Sequence, residues 1–191
     1  TTDNGFAGIE LAATDADDYY GSVLLKAVAD GTNYSNDFVI QTRHSGNHAE
    51  RLRIDSSGNL KIGYNANRDL GGLSVQRLHI EGTDGGSSAI GIVNNQNSTG
   101  QPALYFSKSR GTSVGSNTIL QDGDPMGALV FCGADGNDMI SIGAQITASV
   151  NGTPGSNDMP GMLTFSVTAD GAATATERLR IRSTGVLQVN T

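Results

Sequence analysis

The stretch "ERLRIDSSGNL", running from Glu50 to Leu60, returns near the end of the chain as "ERLRIRSTGVL", from Glu177 to Leu187. Over positions 50–63 and 177–190, eight of fourteen residues are identical without a gap. Side chains alternate along a strand, so Glu50, Leu52 and Ile54 are expected on one face and Arg51, Arg53 and Asp55 on the other. "SSGN" then offers Gly58, which tolerates positive φ. Leu60 and Ile62 resume the apolar face around an exposed Lys61, predicting a hairpin of about six residues per arm. The second copy places Leu179, Ile181, Leu187 and Val189 inward, Gly185 in the turn, and Glu177, Arg178 and Arg180 where the first has Glu50, Arg51 and Arg53. A strand and turn written twice suits scaffolding, because an active site is usually built once from residues that converge in space.

The composition points the same way. Among 191 residues there are 26 Gly, no Trp, 5% aromatic and 16% charged residues, which suits many strands and turns better than amphipathic helices. We read no helix. A net charge of −7 lacks the basic footprint needed to neutralise phosphates, which argues against a nucleic-acid binder. No run approaches the roughly 18 apolar residues of a membrane span, so no membrane insertion is expected. The single Cys132, inside "GALVFCG", cannot form an intrachain disulfide and is expected to be a small buried apolar residue. Opening at Thr1 without Met is consistent with a fragment or a processed piece of a longer chain.

A weaker repeat lies between the two copies. "PALYF" at 102–106, "GALVF" at 127–131 and "GMLTF" at 161–165 share Leu-x-Phe, and "GSVLLKAVADG" at 21–31 is an aliphatic version. The latter three lead to Asp-Gly turns at 135–136, 170–171 and 30–31. In "ALVFC" both faces are apolar, so this strand is expected to be covered on both sides, with a neighbouring subunit as the economical source of the second cover. The expected organisation is a β module at 1–63 ending in the first hairpin, a linker at 64–88 with one short strand in "RLHIEG", and a larger β module at 89–191 ending in the second hairpin. The fold class is all-β, with short antiparallel strands and hairpins in two related modules.

"ERLRIDSSGNLKIG" followed by "LHIEG" resembles the strand-turn-strand repeat of bacteriophage tail fibres, notably those of marine phages. "QPALYFSKSRGTSVGSNTILQDGDPMGALVFCGADGND", continuing to "TERLRIRSTG", is similar to the larger module of the same fibres. The resemblance covers most of residues 20–190. It implies an elongated, intertwined, protease-resistant homotrimer in the virion tail, positioning a receptor-binding tip, and often followed by a self-cleaving chaperone domain. No chaperone-like segment follows the second hairpin in these 191 residues.

Candidate sites are weighed against plainer roles. Arg51/Arg53 and Arg178/Arg180, multiplied by three, could hold an anionic sugar or lipid group, but cross-strand or intersubunit ion pairing with the abundant Asp residues is preferred. His44, His48 and Glu50 have metal-like spacing in a loop, without the helix that would align them; a threefold axial site is the remaining metal option. His79 is expected to face outward. Asp15, Asp17 and Asp18 lack the Gly and Glu of a calcium loop and are read as an acidic turn. Glu occurs only at positions 10, 50, 81 and 177, and without Trp platforms or a nucleophile motif no catalytic role is expected. No cofactor is expected either. The expected function is structural and host-attaching, with a host-surface glycan or outer-membrane receptor met by loops 94–101, 108–118 or 151–160. The alternatives are a depolymerase of host-surface polysaccharide and a bacterial surface adhesin or structural fibre.

Overall fold

The computed structural model describes residues 6–14, 20–29, 35–44 and 47–190. Asp15, Asp17, Asp18 and the 30–31 turn lie outside the described residues, as does the side chain of His44. Among the described residues there is no helix, and the chain forms two compact units, residues 1–68 with 74–91 and residues 69–73 with 92–191.

In the first unit six strands lie side by side in chain order: β1 (Phe6–Thr14), β2 (Tyr20–Ala29), β3 (Asn36–His44), β4 (Asn47–Ile54), β5 (Leu60–Ile62) and β6 (Leu78–Ile80). All neighbours are antiparallel except β5 and β6, which pair in parallel through a crossover over 63–77. The strand in "RLHIEG" is therefore the edge of this sheet. The second unit is an antiparallel meander of β7 (Pro125–Gly133), β8 (Ser141–Val150), β9 (Gly161–Val167), β10 (Thr176–Ile181) and β11 (Leu187–Val189). Several strands are longer than expected, β2 and β8 reaching ten residues. The return arms β5 and β11 are shorter, with three residues each instead of about six.

The two hairpin turns are built alike. Gly58 donates its amide to the Asp55 carbonyl at 2.8 Å and Asp55 donates to the Asn59 carbonyl at 3.0 Å. Gly185 to Arg182 and Arg182 to Val186 repeat this at 2.9 and 3.0 Å. Both glycines have φ of 79°, where a Cβ would be strained, which explains why Gly survives in both copies. Each turn is also held by a serine amide reaching a side-chain oxygen, Ser56 on Asp37 at 2.8 Å and Ser183 on Asn151 at 3.2 Å.

Of the Leu-x-Phe strands, "GALVF" lies in β7 and "GMLTF" in β9, but "PALYF" is not a strand. No described strand is hydrogen-bonded to the outer edge of β7, and 102–106 leaves that edge unused.

The turns differ in their titratable groups, and Lys61 of the first is Gln188 in the second. Asp55 of the first is Arg182 in the second. Burial pushes the Asp55 carboxyl up, but the Asn59 amide, the Asn59 side chain and the Lys61 ammonium at 2.9 Å together outweigh it and hold the carboxyl at about 2. Because the folded value lies below the unfolded one, its contribution is present above the unfolded value and is lost as pH falls through the folded value. Asp55→Asn should therefore destabilise the protein by about 1 kcal/mol above about pH 5, with solvent screening allowed for. That difference should fade between about pH 4 and about pH 2. Denaturant midpoints of the two proteins across this range check it.

Candidate functional site

The motif Glu-Arg-Leu-Arg contains a kink that strict alternation misses. In β4, Leu52 lies opposite Ile40 and Glu50 lies opposite Gln41, so Arg51 is an extra residue with no partner of its own. In β10 the same happens at Arg178, between Leu179 opposite Phe165 and Glu177 opposite Ser166. A β-bulge of this kind resets the alternation. It moves Glu50 off the face of Leu52 and Ile54, where it was expected, onto the face of Arg53. Arg53 then grips Glu50 through two bonds of 2.7 and 2.6 Å, and Arg180 grips Glu177 in the same two-pronged way. Arg53 also pairs with Asp37. The Glu50 hydrogen bond, opposed by burial and aided by Asp37, raises the Arg53 pKa further above its ordinary value. Arg180 lowers the Glu177 pKa, against burial. Arg51 instead donates to the Thr42 hydroxyl at 2.9 Å.

On the polar face of the first sheet, Lys26, Val39, Arg53, Lys61 and His79 stand in one register row across five strands. This face is the covered one. Lys61 and His79, both expected outside, are only 6% exposed. Lys61 is neutralised by Asp55, His79 hydrogen-bonds Glu81 at 3.1 Å, and Arg68 and Arg77 of the crossover pair with Glu81 and the Ser57 carbonyl. The Tyr64 ring, also on the crossover, lies 6.3 Å from the His79 ring.

The opposite face is apolar and bare. Ile9, Leu25, Ile40, Leu52, Ile62 and Ile80 form an unbroken row across all six strands. Phe38, Ile54, Leu60 and Leu78 form another beside it. In the second sheet the rows are Leu129–Ile146–Phe165–Leu179–Val189 and Gly127–Ala148–Leu163–Ile181–Leu187. The residues expected to point into a core thus end on open faces: Ile54 and Ile181 are exposed, Leu187 is 61% exposed and Val189 67%. Cys132, expected to be buried, is exposed. In "ALVFC" neither face has cover within the chain, since Leu129, Val130 and Phe131 are all exposed. Among the described residues the buried aliphatic side chains are Val39, Leu120 and Val150.

Surface area measures the deficit. The chain exposes 13835 Å², whereas a folded monomer of 19.7 kDa is expected to expose about 8,600 Å². The excess is about 5,200 Å².

The remaining candidates occupy plainer settings. His48 shares a 2.7 Å hydrogen bond with Ser22, and among the described residues no group of three or more His, Cys, Asp or Glu could hold a metal ion. Glu50, Glu81 and Glu177 are each ion-paired, while Glu10 lies exposed on β1. Loop 94–101 is wholly exposed, whereas loops 108–118 and 151–160 come together around a cleft of roughly 470 Å³ that includes Lys108, Thr118, Ile119, Ser156 and Met159. The first of these is pinned by Arg110 on Asp124, at 2.6 and 2.8 Å. No described helix is long and apolar enough to cross a membrane.

Two mainly antiparallel sheets, each with a salt-bridged polar face and a bare apolar one, define an all-β chain, and solved structures share the fold. Over 98% of its length the chain superposes on the carboxy-terminal domain of the bacteriophage T5 L-shaped tail fibre with its intramolecular chaperone domain, at TM-score 0.70 and 14% identity. It also superposes over 98% on the carboxy-terminal domain of that fibre, at TM-score 0.65 and 13% identity. The chain spans 54% of the first structure and 79% of the second. No protein-family model matches the sequence, and no curated protein matches it.

Arg53 should matter more than Arg180. Removing it takes the arginine from two carboxylates, Glu50 and Asp37, the latter 9% exposed and left with the Ser56 amide, whereas Arg180 serves Glu177 alone, which keeps its 2.9 Å bond from Asn190. Arg53→Ala should cost on the order of 2–3 kcal/mol and Arg180→Ala about 1 kcal/mol, compared by denaturant unfolding.

Proposed function

We propose that this chain is a structural, non-catalytic segment of a bacteriophage tail fibre, working in the virion tail as a trimeric β shaft or near-tip module that supports host attachment. One observation carries the proposal: a chain with the fold of a tail-fibre domain leaves an apolar face bare on each of its two sheets. Three copies around an axis would cover those faces and give each chain two neighbours, so each interface would take the excess surface of about one chain, roughly 5,000 Å². Sheet edges would be shielded in the same assembly.

Attachment then works through valency. Three weak contacts to a host-surface glycan or outer-membrane receptor gain by effective concentration. The cleft between loops 108–118 and 151–160 is the best-placed surface for such contacts, because its outer loop is pinned by the Arg110–Asp124 pair.

Sedimentation at micromolar concentration should give three times the 19.7 kDa chain mass, and a monodisperse monomer would sink the trimer. Incubation with a panel of bacterial surface polysaccharides should release no new reducing ends. Release that is lost on changing a single Asp would replace the structural reading with a depolymerase.

A further inference from the structure

Loop 151–160 opens on the pair Asn151-Gly152. In an Asn-Gly pair the glycine nitrogen can close on the asparagine side-chain carbonyl carbon, since glycine has no Cβ to shield it. Here glycine is also required by the backbone: Gly152 has φ of 135°, which other residues rarely adopt.

The two reacting groups are held from separate parts of the second unit. The Gly152 amide donates to Asp122 Oδ1, ahead of β7, at 2.8 Å. The Asn151 side-chain oxygen accepts from the Ser183 amide, in the β10–β11 turn, at 3.2 Å. A backbone N–H can only donate, so this contact identifies which end of the Asn151 side-chain amide is oxygen. The Ser183 hydroxyl lies 3.1 Å from the same oxygen and 2.9 Å from the Asn151 backbone carbonyl, its single proton serving one or the other. The Asn151 amide is fixed on the Pro160 carbonyl at 2.8 Å. Asn151 and Gly152 are half-buried, whereas Asp122 and Ser183 are exposed, so water reaches the site. A nitrogen nucleophile has its proton on a carboxylate, and a carbonyl oxygen faces donors where negative charge develops. These are the parts of an acyl transfer within the chain.

We propose that Asn151 is a self-modification site, at which the chain converts its own asparagine to aspartate or isoaspartate with Asp122 as base and Ser183 as oxyanion donor. The Gly152 nitrogen bonds to Asn151 Cγ as its proton passes to Asp122, and the carbonyl electron pair moves onto Oδ1, facing Ser183. When the carbonyl re-forms, the Cγ–Nδ2 bond breaks. Asp122 returns the proton to Nδ2, which leaves as ammonia, and a cyclic imide remains. Water opens the imide at either carbonyl, giving aspartate or isoaspartate. Both products add one negative charge at the root of the loop, and isoaspartate also lengthens the backbone by a methylene. The aspartate product suits the turn, because Ser56, the counterpart of Ser183 in the first hairpin, already rests its amide on a carboxylate, Asp37, at 2.8 Å. The change is a single turnover and consumes only water.

Peptide mapping by mass spectrometry tests this, following the one-dalton gain at Asn151 while the full chain is incubated at neutral pH. Asn151 should convert on the order of tenfold faster in the folded chain than in a synthetic peptide of residues 147–156. That is less than the roughly hundredfold a well-positioned base supplies, because Asp122 is exposed to water. Asp122→Asn keeps an acceptor oxygen for the Gly152 amide but removes the base, and should bring the folded rate down to that of the peptide. Conversion in the folded chain no faster than in the peptide would overturn the proposal, showing that the hydrogen bonds lock the pair instead of activating it. A fast folded rate left unchanged by Asp122→Asn would overturn the assignment of the base.

Discussion

The constraint on which the rest of the structure depends is that each sheet satisfies its polar face within the chain and leaves its apolar face open. In a globular monomer the arrangement is reversed, with aliphatic rows inside and charges in water. Here Lys61, His79, Asp37 and Asn59 are buried, while Ile9, Phe38, Leu187 and Val189 are exposed. The polar face is sustained because its charges are paired: Arg53 with Glu50 and Asp37, Lys61 with Asp55, His79 with Glu81. Among the described residues no buried side-chain nitrogen or oxygen lacks a hydrogen-bond partner, so burying charge costs less than it would for isolated groups.

The duplicated motif follows from this arrangement. Its aliphatic positions continue the apolar rows, Leu52 and Ile54 in one sheet and Leu179 and Ile181 in the other. Its glutamate and second arginine form the clamp on the polar face, and the bulge at the first arginine lets them meet across three residues. Its glycine turns the chain without strain. What varies between copies is the decoration of the turn, where Asp55, Asn59 and Lys61 are replaced by Arg182, Val186 and Gln188. In the second turn the Arg182 guanidinium donates to the Gln188 side-chain oxygen at 3.1 Å and the Gln188 amide donates to Asn190 at 2.9 Å.

The period-two pattern around the repeat was enough to read the fold class and the identity of the apolar face. It was also enough to pick out two of the three Leu-x-Phe segments as strands. It misplaced Glu50 because a bulge adds one residue without changing composition, although a glutamate on an otherwise aliphatic face, in both copies, was a legible misfit. Strand β8, "SIGAQITASV", passed unremarked because its face of Ile146 and Ala148 alternates with Thr and Ser too weakly to stand out. Burial was misjudged for Lys61, His79 and Cys132 for a different reason. Alternation tells which residues share a face, whereas the cover over that face is supplied by the crossover for Lys61 and His79 and by none of the described residues for Cys132.

The account turns on whether the open apolar faces are covered in solution. Hydroxyl-radical footprinting of the intact protein at micromolar concentration reads this directly, because oxidation tracks side-chain access to water. Phe131, Leu187 and Val189 should be oxidised far more slowly than their exposure in the single chain dictates, and should become reactive only on denaturation. Oxidation of these three at the rate of freely exposed side chains would contradict the claim that another copy covers them.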